Sequence, residues 1–385
     1  MELDYVVLRS RVLTRGPGHF ATRGRRVGFE LEQYKLSEAE SLEIRQDPRT
    51  HAIAPAMPMR LIEPAEAPED VPVFEGTATW GVEAVRATDS PFDGSGIIVS
   101  VLDTGIDLKH EAFKGIDIKC RNFTNEDDDD QNGHGTHCAA TIFGRDVAGY
   151  RIGVARGVEQ VLIGKVLGEN GGMSNTIARA IQWSLDEKAH VISMSLGVDF
   201  PGFVDEMVRR GLDINAATSI ALKGYRDNIN LFSALRNEIE ALEGFEHGTT
   251  IVSASGNESR RPKYEIDVSP PASSVGIAVG ALGQSDKGLS VASFSNTGVD
   301  VSGPGVNIIS AKVGGGLTSK SGTSMATPHV VGVAILWGQK LLSSYGRLES
   351  KQLTAHLRAQ ADTASLAVGF KRSDVGAGIV QAPLS

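Results

Sequence analysis

The fold is decided by residues 96–107, which read Gly-Ile-Ile-Val-Ser-Val-Leu-Asp-Thr-Gly-Ile-Asp. The apolar and β-branched residues up to Leu102 predict a short strand that is buried on both faces of a sheet. The strand runs into a glycine turn through a carboxylate, Asp103. Ligands of an open parallel sheet bind beyond the carboxyl ends of its strands, so Asp103 is a candidate site residue. Taken alone, the segment is better explained as an Asp-Thr-Gly turn without a chemical role.

The same kind of apolar run recurs downstream and alternates with helical patterns. Further strands are predicted over 160–167, 191–196, 250–254 and 275–281, and helices over 173–188 and 323–342. Strands that alternate with helices form a mostly parallel sheet with helices on both faces. The sequence therefore predicts an α/β fold of this type.

The part of the chain before this pattern, residues 1–62, predicts a small α+β unit of its own. Strands are expected at 5–8 and 51–55, and a helix begins after Ser37 with acidic residues in its first turn. This unit precedes the predicted sheet, so the two are expected to be separate parts of the fold.

Two further boundaries follow from composition. Residues 63–77 begin with a run rich in Pro and Glu and are predicted to be an extended linker, and residues 78–385 carry the predicted sheet. Within them, 199–247 has a helical pattern and no recognisable chemistry. This insertion is predicted to add a helical pair that restricts access to a cleft, contacts a partner or covers the surface.

Composition narrows the class of protein. The chain has 385 residues, 41% hydrophobic side chains and a net charge of −9, which gives no sign of a basic groove for nucleic acid. No segment approaches the roughly 18 apolar residues of a membrane span, and the N-terminus lacks the pattern of a secretory signal. We therefore predict no nucleic-acid or membrane partner and a cytoplasmic location. The two cysteines, Cys120 and Cys138, are predicted to be free thiols.

A second unusual segment surrounds His134 and reads Asn-Gly-His-Gly-Thr-His-Cys-Ala-Ala over 132–140. Glycine on both sides of His134 lets another part of the chain approach the imidazole. A helix cap with a surface histidine is the plain alternative. Metal binding by His134 and His137 is a weaker alternative, because no Glu lies between them as in zinc peptidases.

A third segment, Ser-Gly-Thr-Ser-Met-Ala-Thr-Pro-His over 321–329, opens the long predicted helix. Ser324 could simply cap that helix. As a nucleophile, it would instead form an oxyanion beside free backbone N–H groups at the positive end of the helix. Pro328 is expected near the first turn, where a missing N–H costs little.

The three segments together resemble the active-site signatures of the subtilisin family of serine endopeptidases, in the order Asp, His, Ser. Cys138, directly after Gly-Thr-His, is similar to the proteinase K branch. The resemblance covers roughly residues 78–384. It implies that the chain hydrolyses polypeptides, with Ser324 as nucleophile, His134 as general base and Asp103 as the group that orients the imidazole.

Other segments of this family resemblance imply the rest of the site. Ala-Ser-Gly-Asn at 254–257 resembles the segment that supplies the oxyanion asparagine, here Asn257. An extended substrate is expected to add as a strand between two exposed backbone edges. The implied substrate-binding residues are Gly171, Gly172, Ser195, Leu196, Gly197, Ala254, Ser255 and Gly256. Glu265 or Asp267 could favour a basic residue before the cut.

No cofactor is required by this reading, and no metal ligand set is assigned. Many subtilisins bind calcium, but the loop at 144–151 has one carboxylate and two arginines, a poor match to a calcium cage. The acidic run at 126–130 could attract a cation, although such a run is more often a solvated loop. Because Cys138 is expected one helical turn from His134, bulky thiol reagents are expected to affect activity.

Residues 1–62 also resemble, faintly, an inhibitory propeptide of this family. The resemblance implies a self-inhibited precursor in which the segment near 57–63 passes through the active site and is cut there. Two other readings stay open. An inactive relative that only binds peptides would usually have lost one of the site residues. An esterase of the α/β-hydrolase type would place its serine before the acid and the histidine.

Overall fold

The computed structural model describes residues 2–12, 27–62, 76–243 and 248–385. The N-terminal part consists of β1 (Leu3–Val12), β2 (Val27–Leu36), α1 (Glu38–Gln46), β3 (Thr50–Pro55) and β4 (Pro58–Leu61). The first three strands form an antiparallel sheet in the order β2-β1-β3. Ser37 and Glu40 cap α1 reciprocally, which fixes its start where the sequence predicts it.

The remaining strands belong mainly to one large sheet. They are β5 (Ile98–Asp103), β6 (Asp117–Asn122), β7 (Gln160–Lys165), β8 (Gly172–Met173), β9 (Val191–Met194), β10 (Leu196–Val198), β11 (Thr250–Ala254), β12 (Ile277–Ser285), β13 (Gly288–Val291), β14 (Val301–Pro304), β15 (Ile308–Ala311) and β16 (Leu317–Lys320). The eight-stranded sheet has the order β13-β12-β11-β9-β5-β7-β6, with β14 paired to β12. Only β13 runs antiparallel to its neighbour.

Helices cover both faces of this sheet. They are α2 (Trp80–Ala84), α3 (His134–Phe143), α4 (Ser174–Asp186), α5 (Phe200–Arg209), α6 (Ile214–Leu242), α7 (Thr323–Tyr345), α8 (Ser350–Ala359) and α9 (Arg372–Val375). Val99 and Val101 of β5 belong to the apolar core that contains α3 and α7. Leu102 faces the other core, with α4 and α6. The predicted α/β fold, a mostly parallel sheet with helices on both faces, is confirmed.

The N-terminal unit packs on the helical insertion. The Asn228 side-chain amide of α6 donates to the Pro55 carbonyl at 2.9 Å. Arg45 of α1 pairs with Asp227 at 3.0 Å, and His51 pairs with Glu238 at 2.6 Å. Apolar residues of β1 and β3 share the core that contains α4 and α6. The predicted helical pair therefore contacts residues of the chain's own N-terminal unit.

Among the residues that the structure describes, no helix is both long and apolar enough to cross a membrane. The predicted strand at 191–196 is interrupted at Ser195, so that β9 remains in the large sheet and β10 leaves it. That departure places β10 in a separate three-stranded sheet with β4 and β8.

Candidate active site

The end of β5 and the start of α3 bring Asp103 and His134 together. His134 Nδ1 lies 2.8 Å from Asp103 Oδ1, and both side chains are buried. The Thr104 backbone N–H donates to the same carboxylate oxygen at 2.8 Å. A Cβ on Gly135 would lie 2.2 Å from the Gly105 carbonyl oxygen. Only glycine at 135 lets the two loops approach this closely.

A second buried carboxylate, Asp130, ties these two loops to each other. Thr104 Oγ1 donates to it at 2.8 Å from the Asp103 side, and Thr136 Oγ1 donates at 2.6 Å from α3. The Gly133 backbone N–H donates to it at 2.8 Å. Sequence reasoning missed this role, because Asp130 was treated only as part of an acidic run. Its position four residues before His134, the first residue of α3, is the signal in the sequence.

The rest of the acidic run is met by a cation of the chain itself. The Lys165 ammonium donates to the Asp127 and Asp129 carbonyl oxygens at 2.6 and 2.8 Å, and it lies 3.7 Å from Glu126. Lys165 is buried at the end of β7. The loop is therefore organised around a buried lysine that neither alternative from the sequence included. The side chains of Asp127, Asp128 and Asp129 are exposed, as expected of a solvated loop.

Ser324 is the second residue of α7, which begins at Thr323. Its hydroxyl donates to the Ile62 carbonyl oxygen at 2.9 Å. Pro328 is the sixth residue of this helix, beyond the first turn where the sequence placed it. It removes the N–H that would bind the Ser324 carbonyl. Ser195 Oγ and Cys138 Sγ, each 3.4 Å from that carbonyl oxygen, take the place of the missing donor.

Cys138 links the histidine and the serine segments. Its sulfur lies 3.7 Å from His134 Nδ1 and 3.9 Å from Nε2, in addition to its contact with Ser324. Both cysteines are free, as predicted. Burial raises the pKa of the Cys138 thiol well above its usual range. Cys138 lies close to His134, as expected. Because the thiol is buried and protonated, we expect it to react slowly with bulky reagents.

Asn257 follows β11 and contacts the start of α7. Its Oδ1 accepts from the Thr323 N–H and from Thr323 Oγ1, both at 2.9 Å, which fixes the end of the amide that faces α7. The Gly256 N–H also donates to Thr323 Oγ1, at 3.2 Å. The buried residues Ala254 and Ser255 precede this contact at the end of β11. The contacts with Thr323 hold Asn257 at the start of α7, where Ser324 is the next residue.

The cleft in front of Ser324 is occupied by β4 of the same chain. β4 pairs antiparallel with β8 through Met59 and Gly172, and with β10 through Leu61 and Leu196. The Ile62 N–H donates to the Ser195 carbonyl at 3.4 Å.

Two glycines from the predicted binding set border this strand. A Cβ on Gly171 would lie 2.4 Å from the Met59 carbonyl oxygen, and Gly197 pairs with Arg60. The predicted backbone edges at 171–172 and 195–197 thus flank one extended segment.

The side chain directly before the Ser324 contact is apolar. Ile62 is 5% exposed and approaches Gly197. Glu265, one of two acids predicted to favour a basic residue there, is engaged by Lys371 at 2.9 Å. The other, Asp267, accepts from Thr297 Oγ1 at 3.5 Å. The occupant of this position therefore does not match the predicted basic preference.

One group of potential metal ligands occurs among the described residues. Ligand atoms of Asp103, His134 and Cys138 all lie within 4.8 Å of one another. His137, the other histidine considered as a metal ligand, instead has its Nε2 3.0 Å from the Ile308 carbonyl oxygen. In the loop at 144–151, the Asp146 carboxylate is paired with Arg156.

Two buried histidines beside the site give a pH-dependent stability. Burial lowers the pKa of His137 to about 3, with Lys320 adding to the effect, and burial lowers the pKa of His329 to about 4. In the unfolded chain both titrate near 6.5. Their contribution is complete above about pH 6.5 and is lost as the pH falls toward the folded values.

We therefore expect the free energy of unfolding to drop between about pH 7.5 and about pH 5, by roughly 2 kcal/mol for each histidine. Urea unfolding followed across this pH range measures the drop. His329→Gln should reduce the drop by roughly 2 kcal/mol. An identical drop in that variant would contradict the assignment.

Comparison with known proteins agrees with this geometry. Residues 94–378 match the sequence model of the "Subtilase family". "Subtilisin-like protease 1" of Pseudogymnoascus destructans is 35% identical over 288 residues, 71% of this chain and 62% of that protein. The protein of the same name from Trichophyton verrucosum is 35% identical over 63% of this chain and 52% of its own. The chain thus spans less than two thirds of these curated relatives.

A solved structure gives the same result at the level of fold. The crystal structure of a cold adapted subtilisin-like serine proteinase superimposes with a TM-score of 0.54 and 28% sequence identity. The match covers 80% of this chain and 98% of that one.

Proposed function

Because this chain belongs to the subtilase family of serine peptidases, we propose that it is an endopeptidase whose own N-terminal unit inhibits it. The family resemblance inferred from the three sequence motifs is confirmed. The proposed reaction is hydrolysis of peptide bonds in extended polypeptides by Asp103, His134 and Ser324.

The observation that carries the proposal is the position of Ile62. Its carbonyl oxygen accepts from the Ser324 hydroxyl at 2.9 Å, while β4 is held on both sides by β8 and β10. Attack by the serine oxygen needs the substrate carbonyl beside it, in a backbone held by strand addition, and the Ile62 carbonyl meets that requirement. The peptide bond between Ile62 and Glu63 is therefore the bond that this arrangement favours for cleavage.

The proposed chemistry assigns each group one role. With Nδ1–H directed to Asp103, His134 keeps a lone pair on Nε2 that takes the proton from Ser324 as the hydroxyl attacks the carbonyl carbon. In this proposal the oxyanion forms at the N-terminus of α7, and the Ser324 N–H and the Asn257 side chain stabilise it. His134 then gives the proton to the leaving amine, and water hydrolyses the acyl-enzyme.

The proposed inhibition depends on the contacts that hold the N-terminal unit against α6. Arg45, His51 and the Pro55 carbonyl all contact α6, outside the cleft. Cutting after Ile62 leaves these contacts in place, so the fragment of residues 1–62 is held as a product in the cleft. Dissociation of this fragment, rather than cleavage alone, would then release activity.

The test is labelling of Ser324 by a fluorophosphonate, with the release of peptides from a casein-like substrate. We expect labelling at Ser324, slow while residues 1–62 stay bound and faster when they dissociate or are degraded. Peptide release should follow the labelled fraction. Turnover of simple esters without peptide release would favour an esterase, and a complete lack of labelling would favour an inactive relative that only binds peptides.

A further inference from the structure

The strand that occupies the cleft carries one charged side chain. β4 and the residue after it read Pro58-Met59-Arg60-Leu61-Ile62, and Met59 and Ile62 are buried. If the bond after Ile62 is the one cleaved, Arg60 is the third residue before that bond. Its backbone pairs with Gly197 of β10, so the register of the strand fixes where its side chain begins.

Two carboxylates from different parts of the cleft meet this arginine. Arg60 Nη2 lies 3.2 Å from Glu258 Oε1, and Nη1 lies 3.7 Å from Asp199 Oδ1. Asp199 directly follows β10, and Glu258 directly follows Asn257. A guanidinium presents several donors in a planar fork, which allows one side chain to reach both acids.

Neither carboxylate depends on Arg60 for its position. Asp199 caps α5 by accepting from the Gly202 N–H at 3.1 Å. Glu258 Oε2 accepts from the Asn296 side-chain amide at 2.7 Å. Because both acids are held by contacts within residues 76–385, they stay in place when another peptide replaces β4. The pair is therefore a preorganised acidic subsite.

We infer that Asp199 and Glu258 form a subsite that selects a basic residue, arginine above all, at the third position before the scissile bond of a polypeptide substrate. This inference rests on the proposed function. The three side chains are 26–46% exposed, so solvent weakens each ion pair. The expected preference is therefore about three- to tenfold in kcat/KM, which corresponds to two exposed ion pairs.

Matched peptides measure the preference directly. Peptides containing Met-X-Leu-Ile before the cut, with X as Arg, Gln or Glu, are given to the full-length protein after it has cut itself. We expect Arg to exceed Gln by about three- to tenfold and Glu to be the poorest substrate. Residual inhibition by residues 1–62 lowers all rates equally and leaves the ratios unchanged. The preference should shrink in high salt.

The decisive variant is Asp199→Asn with Glu258→Gln, which keeps the helix cap and the Asn296 contact while removing both charges. The Arg-to-Gln ratio should fall to about one. Asp205→Asn, an exposed acid on α5, is the matched control and should keep the ratio. Cleavage of all three peptides at equal rates by the unaltered protein would overturn the inference while leaving the proposed function intact.

A second measurement does not need catalysis. In the Ser324→Ala chain, amide hydrogen exchange of residues 59–62 reports how firmly β4 is held. Arg60→Gln should raise exchange there about three- to tenfold, the double acid variant should do the same, and combining them should add little. Unchanged exchange in both variants would overturn the inference even if no peptide were cleaved.

Discussion

Replacing Ser324 by alanine will leave the full-length chain uncut, whereas the unaltered chain will be cut into residues 1–62 and 63–385. The reason is geometric, because the Ile62 carbonyl already accepts from the Ser324 hydroxyl within a strand held on both edges. Without the hydroxyl no acyl-enzyme can form. Loss of the nucleophile in subtilisin lowers kcat roughly 10⁶-fold, and that scale is borrowed as the expectation.

Intact mass spectrometry over time measures this outcome. Ser321→Ala is the matched control, since that serine lies in the same segment but its hydroxyl accepts from the Asn307 N–H at 2.8 Å. The control should be cut at close to the normal rate. A cut after Ile62 that persists in the Ser324→Ala chain would mean that another nucleophile acts there.

Local sequence patterns predict those strands and helix ends whose residues form them without help from distant parts of the chain. The apolar runs at 160–167 and 250–254 predicted β7 and β11, and the Ser37 pattern predicted the start of α1. The sequence analysis does not include β2, although the sequence carries a strand pattern there. Val27, Phe29 and Leu31 alternate with glycine or polar residues, as in a strand with one apolar face.

Other features depend on contacts between distant parts of the chain. β4 is a strand only because β8 and β10 flank it, and Pro-Met-Arg-Leu has no strand pattern of its own. The acidic subsite joins Asp199 and Glu258, which are neighbours only in the folded cleft. Local periodicity carries no information about either of these arrangements.

The three segments of the proposed active site can be recognised in the sequence because each has a local pattern. A carboxylate at the end of a strand, a histidine between glycines and a serine opening a helix can each be recognised within ten residues. What the sequence could not supply was the support between them. Asp130 holds the Asp103 and His134 loops together, and Pro328 frees the Ser324 carbonyl for Ser195 and Cys138. These contacts determine how rigidly the groups are held.

Replacing Asp103 by asparagine will lower kcat by about 10⁴-fold with little effect on the fold, the loss known for this change in a serine protease triad. Asp103 Oδ1 accepts from His134 Nδ1 and from the Thr104 N–H, each at 2.8 Å. An asparagine has the same shape but no charge, and in one of its two amide orientations it presents an N–H₂ group where Oδ1 stands. If that group faces the imidazole, Nδ1 becomes the acceptor and the proton moves to Nε2.

A proton on Nε2 prevents His134 from acting as the base for Ser324, which is why the loss is expected in kcat rather than in substrate binding. Rates of peptide hydrolysis and of cutting after Ile62 should fall together. Asp107→Asn, in the same turn, is the matched control, because that carboxylate accepts from the Lys109 and Gly314 N–H groups. The control should retain activity within about tenfold, since its acid lies outside the proposed proton path. If Asp103→Asn lowers kcat no more than Asp107→Asn does, the Asp103 carboxylate does not orient His134, and the proposed mechanism must be abandoned.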